Sequence, residues 1–184
     1  MQVDYRPEKS VVENNGHVIE VQIEDPDGSV PVGNKDYEIK RFHVHTPSEE
    51  KIDGRRFDAS VHLVNTSADG ETAAIGLLVE EGPPNPVMDQ VVPLIPDTAG
   101  DENEAPDRID PGGLLPADDE AFQFKGSLTT PPCEGLEWII YRQPATMSGD
   151  QLAALRAAYD GNIRPIQSGN GRPITLGRVV SGGQ

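Results

Sequence analysis

The chain has 184 residues, of which 35% are hydrophobic and only 5% aromatic, with 19 Gly and 17 Pro. This length suits one domain, covering residues 1–184, and the many turn-forming residues favour a sheet-rich domain over a helical bundle. The formal net charge of -16 excludes nucleic acid and anionic membrane as partners, because like charges repel. Two explanations of the acidity stay open, a basic partner or cation-attracting site and a solvated surface adapted to high salt. That only 5 of the 15 basic residues are Lys favours the second.

Targeting signals are not visible in the sequence. No stretch approaches the roughly 18 apolar residues that cross a membrane, and the N-terminus MQVDYRPEKS lacks the basic and apolar regions of a signal peptide. The single cysteine, Cys133, cannot form an internal disulfide and says little about the redox compartment.

Four strands are predicted in the first half of the chain, the first two from alternating apolar and polar residues. Their short polar connections imply antiparallel neighbours. These predicted strands are 17–24, 36–45, 57–65 and 72–80. Within 36–45, the alternation predicts that Tyr37, Ile39 and Arg41 share one face, which His43 and His45 continue.

The second half of the chain is less regular. It contains, in order, a short helix at 86–94, an acidic loop at 97–107 and a strand at 137–142. Ser148 is a good N-cap for a helix that Gly161 would end, and the Gly- and Pro-rich tail is expected to be irregular. The whole chain predicts an α+β, mainly β fold, with a single domain built on a large twisted, mostly antiparallel sheet and a few short helices.

Three of the four histidines lie on two adjacent predicted strands. His43 and His45 project from one face of the first strand, and His62 lies on the next strand, which can pair with it. Three converging imidazoles with an open fourth position are typical of a catalytic zinc site. Ordinary strand histidines, half exposed or hydrogen-bonded, are the competing interpretation, and the surrounding sequence decides between the two.

Four ordered motifs resemble the alpha-class carbonic anhydrases, bacterial type, whose three-histidine zinc site is itself the standard example of the arrangement above. FHVHTPSEE with FDASVHLVN resembles the zinc-binding core, and GSLTTPPCEG with EWII resembles the second signature. ENNGH resembles the segment of the proton-shuttle histidine, and NIRPIQ is the fourth match. The resemblance runs from about Asp4 to Arg172 and so covers nearly the whole chain.

The resemblance implies reversible hydration of carbon dioxide to bicarbonate and a proton by zinc-bound hydroxide, with His43, His45 and His62 as the Zn²⁺ ligands. It also implies that Thr129 orients the hydroxide and that Glu49 accepts the Thr129 proton. A threonine that gives its proton to a carboxylate can only accept from the hydroxide. Without the family, Glu49 would be read as a loop carboxylate and Thr129 as a turn residue.

Two further roles follow from the resemblance. His17 corresponds to the shuttle that passes protons to buffer, whereas by itself it would be read as a surface histidine. The apolar pocket for carbon dioxide maps to residues that would otherwise be read as core packing, namely Val64, Ala74, Leu128, Leu136 and Trp138.

The sequence departs from the family pattern at three positions around the ligands. Arg41 stands where the family usually has Gln or a similar residue, and a cation there is unhelpful unless it points away or pairs with an acid. Ser60 replaces the Glu that supports the third ligand, and losing such a partner typically costs 10- to 100-fold in metal affinity or activity. Glu50 stands where a His often follows the gatekeeper Glu.

A segment that the family carries upstream, with a QSPIDI-like strand, has no counterpart in the sequence. In many bacterial members a cysteine of that segment pairs with the one that corresponds to Cys133. The sequence therefore indicates either a truncated chain or a natural short form.

We expect an enzyme, a carbonate dehydratase of the lyase class, that sulfonamides and anions inhibit. The alternative is a catalytically weak, zinc-binding scaffold or binding protein related to the family. Retention of the three ligands with Thr129 and Glu49 favours the enzyme. The resemblance is compatible with a homodimer and implies a periplasmic or secreted protein, with the cytoplasm as the alternative because no signal peptide is visible.

Overall fold

A computed structural model describes residues 1–159 and 161–181, and the fold is mainly β. The strands, in chain order, are β1 Gln2–Val3, β2 Lys9–Asn14, β3 Ile19–Glu24, β4 Ser29–Val32, β5 Lys35–His45, β6 Lys51–Ile52, β7 Arg55–Arg56, β8 Ala59–Ser67, β9 Thr72–Glu81, β10 Glu102–Glu104, β11 Glu120–Ser127, β12 Gly135–Tyr141, β13 Ala145–Met147, β14 Thr175–Arg178 and β15 Val180–Ser181. The helices are α1 Pro86–Val91 and α2 Gly149–Ala158, with 3₁₀ turns at Val92–Leu94 and Pro111–Leu114. In both described ranges, every helix is too short or too polar to cross a membrane.

One large sheet dominates the molecule, in the strand order β10-β2-β3-β5-β8-β9-β12-β11-β14. Its neighbours are antiparallel except that β12 and β13 run parallel to β9. The predicted fold class is therefore confirmed. Strands β5, β8 and β9 lie at the centre of the sheet, and the side chains of β8 are almost all buried.

Different groups of side chains pack on the two faces of this sheet. One face packs against α1 and α2 and forms the main core, which includes Phe42 and Val44 from β5, Met88 from α1 and Leu152 from α2. A second, smaller apolar cluster includes Trp138. The predicted metal ligands lie on the side of this second cluster, because the His62 ring packs edge-on against the Trp138 ring with 4.8 Å between centroids.

A β-bulge in β5 overturns the prediction that one face runs from Tyr37 through His45. The pairing with β8 shifts register between Ile39 and Arg41, so one extra residue enters β5 and the side chains change sides. Tyr37 and Ile39 consequently belong to the main core, whereas His43 and His45 point away from it. A single inserted residue has this effect because side chains alternate with a period of two.

Most other predicted elements are confirmed, and three are corrected. The acidic segment 97–107 contains the short strand β10, and the tail contains β14. Both are edge strands whose described side chains are all exposed, so no apolar pattern marks them. Helix α2 begins after Ser148 as predicted but ends at Ala158, before Gly161. Its end is set by Tyr159, which is extended and donates a hydrogen bond to the Val44 carbonyl at 2.9 Å. Strands β2 and β11 were not predicted.

Candidate metal centre

The three predicted ligands lie together because of how β5 pairs with β8. His43 is directly opposite His62 in this antiparallel ladder, and His45 follows two residues later on the same face. The ring centroids are 4.9 Å apart for His43 and His45, 5.3 Å for His43 and His62, and 4.7 Å for His45 and His62. One nitrogen from each ring lies within 4.8 Å of the other two, which is close enough to share a metal ion.

Hydrogen bonds to two of the rings decide which nitrogen keeps a free lone pair. His45 Nδ1 lies 3.0 Å from the Asn162 carbonyl oxygen, and His62 Nε2 lies 2.7 Å from Glu50 Oε1. Both oxygens only accept, so these nitrogens donate. The lone pairs that remain, on His45 Nε2 and His62 Nδ1, lie 3.6 Å and 3.9 Å from one atom, Glu49 Oε2. The two free nitrogens therefore converge.

The His45 and His43 rings suit a metal ion better than a proton. His45 Nε2 is buried and has no hydrogen-bond partner in the described part of the chain. Burial lowers the pKa of His45 to about 4, and together with the neighbouring rings it holds the pKa of His43 well below its usual range. Neutral imidazole is the form that binds metal, and an unpaired buried nitrogen is costly unless an ion occupies it. The donor set therefore fits zinc.

The charge on Arg41 is paired with an acid. Its Nε lies 2.9 Å from Glu20 Oε2 on the adjacent strand β3, and the same oxygen lies 3.8 Å from His43 Nδ1. Burial raises the pKa of Glu20, and Arg41 partly offsets this. Glu20 is directly opposite His43 in the ladder of β3 and β5, so it places a carboxylate between the ligand and the cation.

Glu49 lies beside the histidines and is held by a distant segment. The backbone N–H of Arg164 donates to Glu49 Oε1 at 2.7 Å. Burial raises the pKa of the Glu49 carboxyl, while this N–H, His62 and the Thr129 hydroxyl act in the opposite direction. Glu49 and Thr129 also line the same cavity, of about 460 Å³. The structure therefore brings together the two residues predicted to act as a pair.

The residues predicted to form the carbon dioxide pocket lie beside the His62 ring. Ala74, Leu136 and Trp138 share the smaller apolar cluster, with Leu128 packed against it. Val64 is buried and is directly opposite Ala74 in the ladder of β8 and β9. Of the five, Trp138 lines the cavity that contains Glu49 and Thr129.

His17 lies away from this cluster, in the exposed turn before β3. Its backbone N–H donates to Asn15 Oδ1 at 3.0 Å, and the turn places its side chain in contact with solvent. It is not among the residues that could share a metal with the other histidines.

Sequence reasoning missed the residues that hold the site from outside. Asn162 accepts from the backbone N–H of Thr46 through Oδ1 at 3.1 Å and donates to the Val44 carbonyl through Nδ2 at 3.1 Å. The motif NIRPIQ contains both Asn162 and Arg164, so the sequence resemblance marked this segment, but no role was assigned to either residue. Glu50 was noted only as a departure from the family pattern, and Glu20 carried no signal.

Known proteins match almost the whole chain. The family model of eukaryotic-type carbonic anhydrases matches residues 1–178. A carbonic anhydrase of Pectobacterium carotovorum is 34% identical over 176 residues, which cover 95% of this chain and 72% of the relative. Alpha carbonic anhydrase 3 of Arabidopsis thaliana is 34% identical over 188 residues, covering 98% and 68%.

A solved structure agrees with the sequence relatives. The alpha carbonic anhydrase of Thermovibrio ammonificans, in complex with the inhibitor sulfanilamide, superposes with a TM-score of 0.91 at 34% identity. The match covers 94% of this chain and 77% of that one.

Proposed function

The chain belongs to the eukaryotic-type carbonic anhydrases, and from that premise we propose that it catalyses the reversible hydration of carbon dioxide with zinc held by His43, His45 and His62. The observation that carries this assignment is the convergence of three imidazoles, the buried His45 and His62 and the half-buried His43, in which His45 Nε2 and His62 Nδ1 keep free lone pairs. When bound, zinc lowers the pKa of a coordinated water to about 7, a property established for this enzyme class, and so supplies a nucleophile at neutral pH.

The residues around the ligands would orient this nucleophile. The Arg164 N–H holds Glu49 through Oε1. Glu49 Oε2 has no hydrogen-bond partner in the described residues, and it is the oxygen that would accept from the Thr129 hydroxyl. A Thr129 hydroxyl that gives its proton to Glu49 could only accept a further hydrogen bond. Thr129 would therefore orient the oxygen nucleophile that zinc would supply, with a lone pair toward the substrate.

The apolar side chains would hold the substrate and exclude water. Carbon dioxide carries no charge, so an apolar surface such as the Trp138 ring, which packs against His62 and lines the cavity, would hold it. His17, which is exposed, would exchange the released proton with buffer, because an imidazole can both accept and donate a proton.

The assignment is tested by measuring zinc per chain together with stopped-flow hydration of carbon dioxide, with and without a sulfonamide. We expect one zinc per chain and hydration that the sulfonamide abolishes. Zinc binding without hydration would favour the alternative, a zinc-binding scaffold. A folded chain that binds no zinc would overturn the proposal.

The role of Thr129 has its own test. Thr129→Ala should lower kcat/KM for hydration by about 100-fold, the typical cost of losing one orienting hydrogen bond in an active site, while zinc content stays at the parent level. Thr130→Ala, at the exposed neighbouring threonine, is the matched control and should keep the parent rate. Equal rates for the two variants would exclude Thr129 from the mechanism.

A further inference from the structure

Glu50 makes the closest polar contact to any of the three ligand rings. Its Oε1 lies 2.7 Å from His62 Nε2, and 2% of the His62 side chain is exposed. The other oxygen, Glu50 Oε2, is buried without a hydrogen-bond partner in the residues that the structure describes. Among the described residues, the Glu50 side chain therefore forms its hydrogen bond with the His62 ring.

This contact determines what His62 can do. A carboxylate accepts and does not donate, so Nε2 must carry the ring proton and Nδ1 must keep the lone pair. His62 Nδ1 lies 3.9 Å from Glu49 Oε2, the same oxygen that lies 3.6 Å from His45 Nε2. A negative charge on the far side of the ring also makes that lone pair a stronger donor to a cation.

The loop that carries Glu50 is held rigidly enough to position a ring. Ser48 Oγ donates to the Glu50 carbonyl at 2.9 Å and accepts from the Phe57 N–H at 3.0 Å. Ser60 Oγ accepts from the Glu49 N–H at 3.2 Å. Ser60 is two residues before His62 in β8, and its hydroxyl thus anchors the loop instead of contacting the ring.

We propose that Glu50 is the positioning residue for His62, supplying from the loop before β6 the carboxylate that Ser60 cannot supply from β8. This inference rests on the proposed zinc site. It implies that the replacement at residue 60 is compensated at residue 50, so the centre retains a carboxylate behind its third ligand.

The test compares zinc affinity, measured by competition with a chromophoric chelator at one fixed pH, between the parent chain and Glu50→Gln. Gln preserves the size and removes the charge, and we expect zinc affinity to fall by about 10- to 100-fold. In the Co²⁺-substituted protein, the visible absorption bands should shift, because the ring of one ligand now donates to a neutral amide oxygen or to no acceptor instead of a carboxylate. Glu8→Gln is the matched control, because Glu8 is also buried but accepts from the Asp27 N–H at 2.7 Å.

A rescue experiment separates positioning from general packing. In Glu50→Ala, zinc affinity should fall similarly, and the double variant Glu50→Ala with Ser60→Glu should recover at least about tenfold of the loss, because residue 60 projects from the same face of β8 as His62. Should Glu50→Gln not fold, Glu50→Asp takes its place, with a smaller loss expected.

Three outcomes would overturn the inference. They are zinc affinity in Glu50→Gln within about twofold of the parent, an equal loss in Glu8→Gln, or no recovery in the double variant. A parent chain that binds no zinc would instead overturn the proposed function itself, together with this inference.

Discussion

His43, His45 and His62 meet three different partners, although two of them come from the same strand. His45 donates to a backbone carbonyl, His62 donates to a carboxylate, and His43 lies near an oxygen that is already paired with Arg41. Burial lowers the pKa of His43 and His45. At His62 burial acts in the same direction, but Glu50 and Glu49 together more than offset it and the pKa is raised. Chemically equal side chains thus acquire different protonation behaviour from their neighbours.

The depressed pKa of His45 predicts a pH dependence of stability in the zinc-free protein. Between pH 6.5, the usual value, and about 4, the unfolded chain binds a proton at this ring that the folded chain does not. Protonation therefore stabilises the unfolded state relative to the folded state as pH falls. In that window, His45 lowers the free energy of unfolding by up to about 1.4 kcal/mol for each pH unit of decrease. His45→Gln should reduce the slope by that amount, measured by urea unfolding at several pH values.

The histidine control for this measurement is His17→Gln, which removes an exposed ring and should leave the slope of the parent. Parallel curves for the parent and His45→Gln would show that His45 does not have a depressed pKa in the folded protein.

The β-bulge in β5 determines which side chains of this strand lie on each face of the sheet. Its first half sends Tyr37 and Ile39 into the main core, and its second half sends Phe42 and Val44 there. The register shift after Ile39 reconciles the two halves and leaves His43 and His45 on the other face. The bulge is therefore a precondition of the metal centre, because without it the same strand would bury either its histidines or its polar first half.

Deleting Lys40 should abolish zinc binding. The deletion makes the pairing of β5 with β8 regular, and the two halves of the strand can then no longer face the core together. Zinc binding is measured on protein whose circular dichroism shows that it is folded. Lys40→Ala keeps the extra residue and should bind zinc like the parent, since Lys40 otherwise contacts only Glu38 at the surface in the described residues. A folded deletion variant with parent zinc affinity would contradict this role of the bulge.

Beside the His62 ring, the Trp138 side chain of β12 packs closely against Gly126 of β11. A methyl group on Gly126 in β11 would meet Trp138 Cδ1 at 2.5 Å and Nε1 at 3.0 Å, and the indole N–H already donates to the Ser127 carbonyl at 3.1 Å. Because this rigid ring cannot move without losing contacts, Gly126→Ala should cost about 1–3 kcal/mol of stability. In the neighbouring strand, a methyl on Gly177 meets no atom within 4 Å.

Denaturant unfolding of both alanine variants tests this packing. Gly177→Ala should leave the free energy of unfolding close to that of the parent. Equal stability of the two variants would mean that Trp138 can move to accommodate the methyl group without loss of stability.

Over the whole molecule, negative charge exceeds positive charge by 16. Many of the ion pairs are at the surface, for example Lys35 with Asp69 and Arg142 with Glu120, and such pairs contribute little stability. Repulsion among the remaining carboxylates opposes the compact state and is weakened by salt.

The melting temperature should therefore rise between about 0.01 M and about 1 M NaCl, as the screening length falls from roughly 30 Å to roughly 3 Å. Choline chloride at the same ionic strength is the control, because it screens without fitting a site for small cations. An equal rise in both salts supports a solvated acidic surface. A rise with NaCl alone would indicate a cation site, and no rise would show that self-repulsion is negligible.

The sequence was sufficient for the elements that bury a regular pattern. The alternation in 17–24 and 36–45 and the apolar run in 72–80 predicted strands that the structure contains. The motifs around His43, His45 and His62 predicted which rings converge. Both inferences depend on residues close together in the chain, because period and spacing are local properties. The capping of α2 by Ser148 was predictable for the same reason.

The acceptors that choose the ring nitrogens could not be inferred in this way. Asn162 is 117 positions from His45, and Glu50 reaches His62 from a loop whose path depends on Ser48 and Ser60. The bulge in β5 is defined only by its pairing with β8. The edge strands β10 and β14 form through backbone hydrogen bonds to neighbouring strands, and their side-chain patterns do not predict this pairing. Local patterns thus determined which residues form strands and ligands, whereas long-range packing determined which face, which nitrogen and which carboxylate each ligand has, because these depend on contacts between distant parts of the chain.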